Sequence, residues 1–190
     1  MSDTKRDQWN SAAIEERLIK EMPQHIETLK QFVSIPSVST DPQYREGIHT
    51  ASRFVADRLK TAGLTDIAIL PTAGHPVVTA AWHGAPGKPT VLVYGHYDVQ
   101  PPDPVNAWTS APFTPNIRDG RLYARGASDD KGPMLIPIAV AEAFMKEQGR
   151  LPVNMVFLFE GEEEVSSAHL EDFVRAHRDL LKADFALSAD

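Results

Sequence analysis

Apolar residues recur at helical spacing between residues 12 and 32, where Ile14, Leu18, Ile19, Met22, Ile26 and Leu29 fall near one face. Pro23 lies inside that stretch and predicts a kink or break, because proline lacks a backbone donor and crowds the preceding turn. Ile35-Pro36-Ser37 predicts its end. A second helix is predicted from about Gly47 to Ala62, closed by Gly63. Ile67 to Leu70 and Val77 to Trp82 read as strands. Thr90 to Tyr94 is almost wholly apolar, the pattern of a strand covered on both faces. Prolines and polar residues from Gln100 to Gly120 predict an irregular loop, followed by a short strand at Leu122-Tyr123. A helix is predicted from near Gly132 to Gly149; Pro133 is tolerable in its first turn, whereas Pro137 predicts a kink or a later start. Val153 to Phe159 reads as a second buried strand, Ala168 to Leu181 as a helix, and Phe185 to Leu187 as a short strand. Strands alternating with helices predict an α/β layered sheet.

That order places the charged residues. His96 follows one strand, Glu163 and Glu164 follow another, and Asp190 follows a third. In open α/β sheets, sites gather beyond the carboxyl ends of strands. Three candidate ligands therefore converge on one sheet edge although they are distant in sequence. Carboxylates repel one another, and burying one unpaired is costly. A cation removes that cost, so Gly95-His96-Tyr97-Asp98, Asp129-Asp130-Lys131-Gly132 and Gly161-Glu162-Glu163-Glu164 together point to a metal site. The oxygen-rich donor set suits two divalent ions sharing a carboxylate.

Each stretch also has a simpler reading when taken alone. His96 and Asp98 leave an extended segment on the same side, so Asp98 can hold the ring nitrogen not used for metal; a turn histidine beside a turn aspartate has the same spelling. Asp129-Asp130 fits a helix N-terminus with favourable dipole interactions. Glu162 to Glu164 fits a solvated acidic turn, although one of these glutamates could equally act as general base beside a metal-binding neighbour. His25, His49, His75, His83, His169 and His177 read as ordinary surface or turn histidines.

Composition narrows the field. The 190 residues have the size of one domain, and 42% hydrophobic content supports a core. A formal charge of −7 argues against nucleic acid or an anionic membrane as partner. The chain has no cysteine, which excludes disulfides and thiolate metal sites. The polar start, Met1 to Asn10, lacks the apolar core of a signal peptide, and no apolar run reaches membrane-spanning length. A cytoplasmic protein is the expectation.

The motifs, in this order, resemble the carnosinase-type dipeptidases. These belong to the wider family of two-zinc amidohydrolases that includes aminoacylase, acetylornithine deacetylase, succinyl-diaminopimelate desuccinylase and carboxypeptidase G. The resemblance is carried by Tyr94 to Pro101 (YGHYDVQP), Trp108 to Phe113 (WTSAPF), Asp119 to Pro133 (DGRLYARGASDDKGP) and Glu160 to Ser166 (EGEEEVS). It runs from about Gln24 to the last residue. The Gln100-Pro101 ending and the Asp-Asp-Lys-Gly-Pro spelling look closer to the dipeptidase branch than to the desuccinylases.

The resemblance implies a three-layer α/β/α catalytic domain with a mixed, mostly parallel sheet. It implies two zinc ions, with manganese or cobalt as alternatives. His96 and Asp190 would bind one ion, Glu164 the other, and Asp129 both. Asp98 would orient His96, and Glu163 would be the general base for a metal-bridging water that attacks the scissile amide of a dipeptide or short peptide. The Asp129-Asp130 peptide would be cis. The same resemblance implies a further histidine ligand far downstream and a lid domain through which the full-length protein dimerises. Residues 1–190 are therefore expected to be the N-terminal part of the catalytic domain, without lid, and of uncertain activity alone. Two other readings stay open: an N-acyl amino acid deacylase with the same dinuclear site, and an inactive, metal-poor fragment or binding module.

Overall fold

The computed structural model describes residues 9–190. Helix α1 spans Ser11–Lys20 and α2 spans Met22–Val33. The expected break falls at Glu21, and Pro23 sits in the first turn of α2, where its missing N–H costs nothing. Helix α3 (Arg45–Thr61) leads through Gly63, at φ +85°, into strand β1 (Thr65–Leu70). Strands β2 (Val77–Trp82) and β3 (Thr90–His96) follow.

Residues 100–120 are less irregular than their prolines predict. Val105–Ala107 forms a 3-10 turn, and β4 (Asn116–Arg118) pairs with β5 (Arg121–Tyr123) as a hairpin. Asp119 and Gly120 both have positive φ, the two-residue turn whose twist matches a hairpin. Helix α4 spans Lys131–Gln148 and ends on Gly149 in the left-handed region. It runs through Pro137 rather than starting later; Met134, Ile138 and Ala141, on either side of that proline, are buried and hold the helix by packing. Strand β6 (Asn154–Glu160) follows. Helix α5 covers only Leu170–Ala176, shorter than the predicted 168–181, and β7 spans Phe185–Ser188. Phe173 is the one buried side chain of α5; the helix gives way to turns at His177, and Leu181 beyond it still packs into the core.

The five-stranded sheet has the order β1-β2-β6-β3-β7. β1 and β6 run antiparallel to β2, while β3 runs parallel to both β6 and β7. Side-chain alternation divides the core in two. Val78, Ala80, Val93, Phe157 and Phe159 pack with Phe32, Val55, Met134 and Ile138 of α2, α3 and α4. Val77, Ala81, Val156 and Leu158 pack on the other face with Phe173 and Leu181. Helices on both faces of a mixed sheet make the expected three-layer α/β/α domain. β7 forms one edge, with Phe185 and Leu187 exposed. None of the described helices is long and apolar enough to cross a membrane.

Candidate metal centre

The parallel half of the sheet delivers the site. β3 lies between β6 and β7, so three strand ends open on one edge. His96 is the last residue of β3, Glu163 and Glu164 follow β6, and Asp190 follows β7. Asp129 and Asp130 precede α4 across a cis peptide bond, as the resemblance implies.

His96 is fully buried, yet its Nε2 faces the cluster. It lies 3.1 Å from Asp129 Oδ1, 3.9 Å from Glu163 Oε2 and 4.0 Å from Asp190 Oδ1. Two sets of donor atoms lie within 4.8 Å of one another: His96 with Asp129 and Asp190, and His96 with Glu163 and Glu164. The five residues thus gather around His96, which is common to both sets, while Asp129 and Glu164 fall in different sets.

Asp98 stands behind the histidine. Its carboxylate is fully buried, with Oδ1 3.3 Å from His96 Nδ1, and the Asp98 carbonyl lies 3.1 Å from the same nitrogen. A partner at Nδ1 leaves Nε2 for the cluster. The carboxylate also accepts the backbone N–H groups of Glu163 (3.2 Å) and Glu164 (3.1 Å). One side chain therefore ties the histidine strand to the acidic turn. Burial alone would lower the His96 pKa, but the Asp98 contact and the charges of Asp98, Asp130 and Glu163 outweigh it and raise the group to about 9.

The segment after His96 is clamped from two sides. Tyr97 N–H donates to the Glu160 carbonyl at 2.9 Å, Ser37 Oγ donates to the Tyr97 carbonyl at 2.6 Å, and Val99 N–H donates to the Ser37 carbonyl at 2.9 Å. Asp130, fully buried, accepts the His96 N–H through Oδ2 at 3.0 Å, while its Oδ1 has no partner. Burial pushes Asp130 up to about 6, against the pull of the His96 N–H and charge. Gly95 is needed there, because a Cβ would come 2.7 Å from Asp130 Oδ2. Lys131 does not neutralise the cluster. Its buried Nζ donates to the carbonyls of Phe32 (3.1 Å) and Ile35 (2.7 Å), and burial lowers its pKa to about 7.

Glu164 is raised by burial, and Gln100 Nε2 donates to its Oε2. Glu162 turns away from the cluster and pairs with His169 at 2.9 Å. His169 therefore has a specific acidic partner, where the sequence reading saw only an ordinary surface histidine. The residues that sequence reasoning missed as builders of the site are Ser37, Gln100, Asp130 and Glu160. Asp130, Gln100 and Glu160 lie inside the quoted motifs; Ser37 has no local signal.

The donor set fits divalent cations. One imidazole nitrogen and carboxylate oxygens from four residues crowd a partly exposed cluster, and such crowding is stabilised by positive charge.

The sequence profile of peptidase family M20/M25/M40 matches residues 92–189, just over half of the chain. The chain belongs to this family. Among curated relatives, the Cys-Gly metallodipeptidase DUG1 of Candida albicans is 40% identical over 166 residues, covering 80% of this chain and 34% of that protein. A succinyl-diaminopimelate desuccinylase of Xylella fastidiosa is 36% identical over 134 residues, covering 70% of this chain and 33% of that protein. Among solved structures, human carnosine dipeptidase 1 superimposes with a TM-score of 0.85 at 33% identity, over 92% of this chain and 40% of that one. The chain spans about a third of the length of these curated relatives. Membership of this family and the two donor clusters agree with a dinuclear metal hydrolase.

Proposed function

We propose that this chain carries the metal-binding and acid–base portion of a hydrolase that cleaves the amide bond of dipeptides or short peptides. The observation that supports it most is one imidazole, backed by a buried carboxylate, facing two groups of carboxylates beyond parallel strand ends. In this reading His96, Asp129 and Asp190 hold one ion, and Asp129 and Glu164 hold a second. Zinc is the expected metal, with manganese or cobalt as alternatives. Ions bound there would acidify a water and polarise the scissile carbonyl.

The chain's own residues perform the remaining steps. Glu163 takes a proton from the attacking water and returns it to the departing amine nitrogen. Its carboxylate is 36% exposed, which suits a base that must reach both cluster and substrate. Asp98 keeps His96 Nε2 turned towards the cluster and holds the Glu163 and Glu164 backbone. The same proposal makes residues 1–190 the N-terminal part of a longer catalytic domain in a cytoplasmic protein. Further sequence would add a final histidine ligand and a lid through which two copies pair.

Similarity to the desuccinylase supports a second reading, N-acyl amino acid deacylation at the same dinuclear site. It uses the same residues and differs in the pocket around the acyl group. Zn2+ titration of the metal-free chain tests the shared part. One ion should bind with useful affinity and be lost in His96→Ala and Asp190→Ala. A chain that takes up no Zn2+ refutes the metal reading and leaves the inactive fragment. In the longer protein, Glu163→Gln should keep its metal and lose turnover, whereas Glu164→Ala should lose metal. Turnover of a dipeptide against an N-succinyl amino acid separates the two activities.

A further inference from the structure

We propose that Glu160 is a positioning residue that fixes the turn carrying Glu163 and Glu164. The importance of that turn rests on the function proposed above, but the contacts do not. Glu160 ends β6, in register with His96 of β3, and is 2% exposed. A buried carboxylate at a strand end needs partners. Its Oε1 accepts two hydroxyls, Tyr94 Oη at 2.7 Å and Ser167 Oγ at 2.8 Å. Tyr94 lies two residues before His96, so Tyr94 and His96 share one face of the sheet.

Ser167 closes the acidic turn. Its N–H donates to the Glu162 carbonyl at 2.8 Å, beside Val165 N–H at 3.1 Å to the same oxygen. Ser166 and Ser167 hold φ of 68° and 49°. Serine rarely adopts that region, and it persists where surrounding contacts over-determine it. The Ser167–Glu160 bond is such a contact. The turn is thus fastened at both ends. Asp98 holds the N–H groups of Glu163 and Glu164 at its start, and Glu160 holds Ser167 at its close. Between these two ties the glutamates face His96. A hinge at either end would swing both carboxylates, and a working constellation tolerates displacements of only about 0.5 Å.

The test uses the 190-residue chain and three variants. Ser167→Ala removes the bond without emptying the core. Glu160→Ala removes the acceptor, and Glu160→Gln keeps an acceptor oxygen. Amide hydrogen exchange is read without metal, and Zn2+ affinity by calorimetry. Ser167→Ala and Glu160→Ala should speed exchange at Val165 and Ser167 by about tenfold, with α4 unchanged. In the longer protein, where Glu164 holds the second ion, the same two variants should weaken binding of that second Zn2+ by about 10–100-fold, and Glu160→Gln should restore most of it. Turn amides exchanging as in wild type would overturn the proposal, as would faster exchange spread equally through β6 and α4. If the unaltered chain takes up no Zn2+, the metal reading fails, and the exchange pattern alone decides the role of Glu160.

Discussion

Replacing Asp98 by asparagine tests the joint between the histidine and the acidic turn. The wild-type carboxylate is fully buried, accepts the N–H groups of Glu163 and Glu164 at 3.2 and 3.1 Å, and faces His96 Nδ1 at 3.3 Å. Asparagine keeps the shape but offers one carbonyl oxygen and an NH2 group. One of the two backbone donors then meets another donor, and the charge supporting His96 is gone. A charge-assisted hydrogen bond contributes about 1.5–3 kcal/mol, so the expected loss of stability is about 2–3 kcal/mol. For a chain of this size that lowers Tm by about 4–12 °C, read by thermal unfolding without metal. Zn2+ affinity, read by calorimetry, should fall by about 10–100-fold, because both groups that Asp98 steadies are loosened. Asp57→Asn, on the exposed face of α3, is the control and should stay within about 0.5 kcal/mol of wild type. An Asp98→Asn protein that unfolds earlier yet binds Zn2+ like wild type would reduce Asp98 to a structural group. One unchanged in both measurements would refute the described contacts.

Three further outcomes follow from the surroundings. Gly95→Ala places a Cβ 2.7 Å from Asp130 Oδ2 and 3.1 Å from Met134 Cβ, so urea unfolding should show a loss of about 1–3 kcal/mol. Lys131→Met keeps the stem but removes the donor to Phe32 and Ile35; a net loss of about 1–3 kcal/mol is expected, with faster amide exchange at residues 35–37. Burial raises the Glu21 pKa, but bonds from Lys146 and Arg17 outweigh it and hold the group below its ordinary 4.5. Its contribution is therefore present above about 4.5 and lost as pH falls through the lower folded value. Between pH 7 and pH 3 the unfolding free energy of wild type, read by urea, should fall further than that of Glu21→Gln, by under about 1 kcal/mol.

The legible parts of the fold are those set by neighbours in sequence. Val77 to Trp82 reads as a strand and is wholly buried, its run apolar except for Thr79. Gly149 and Gly63 mark two element ends because only a few residues near each decide the backbone there. The misjudged parts depend on distant packing. Helix α4 continues through Pro137 because buried neighbours flank it, whereas α5 gives way to turns at His177 although Leu181 beyond it is buried. Of the hairpin at 116–123 only the second strand is expected, because the prolines before Asp119-Gly120 point to irregular loop despite that strong turn signal. At the site, the spacing of His96 and Asp98 was readable locally. Glu160 meets Tyr94 across 66 positions and the sheet, and no local period records that contact.

The convergence itself follows from strand order. Parallel neighbours end on the same edge, and adjacent strands lie about 4.8 Å apart. Placing β3 between β6 and β7 therefore brings the residues after all three strands within a few ångströms, whatever their separation along the chain. Acidic residues at two of those ends, with Asp129 arriving beside α4, give a concentration of like charge that folding alone would oppose. Local hydrogen bonds relieve part of it: Asp98 takes two backbone donors and Glu160 two hydroxyls. Asp129, Glu163 and Asp190 remain substantially exposed around one imidazole nitrogen. The buried carboxylates of Asp98 and Glu160 are held by donors of the protein, and the exposed ones are left facing each other. That division separates groups that build the site from groups positioned to meet a cation.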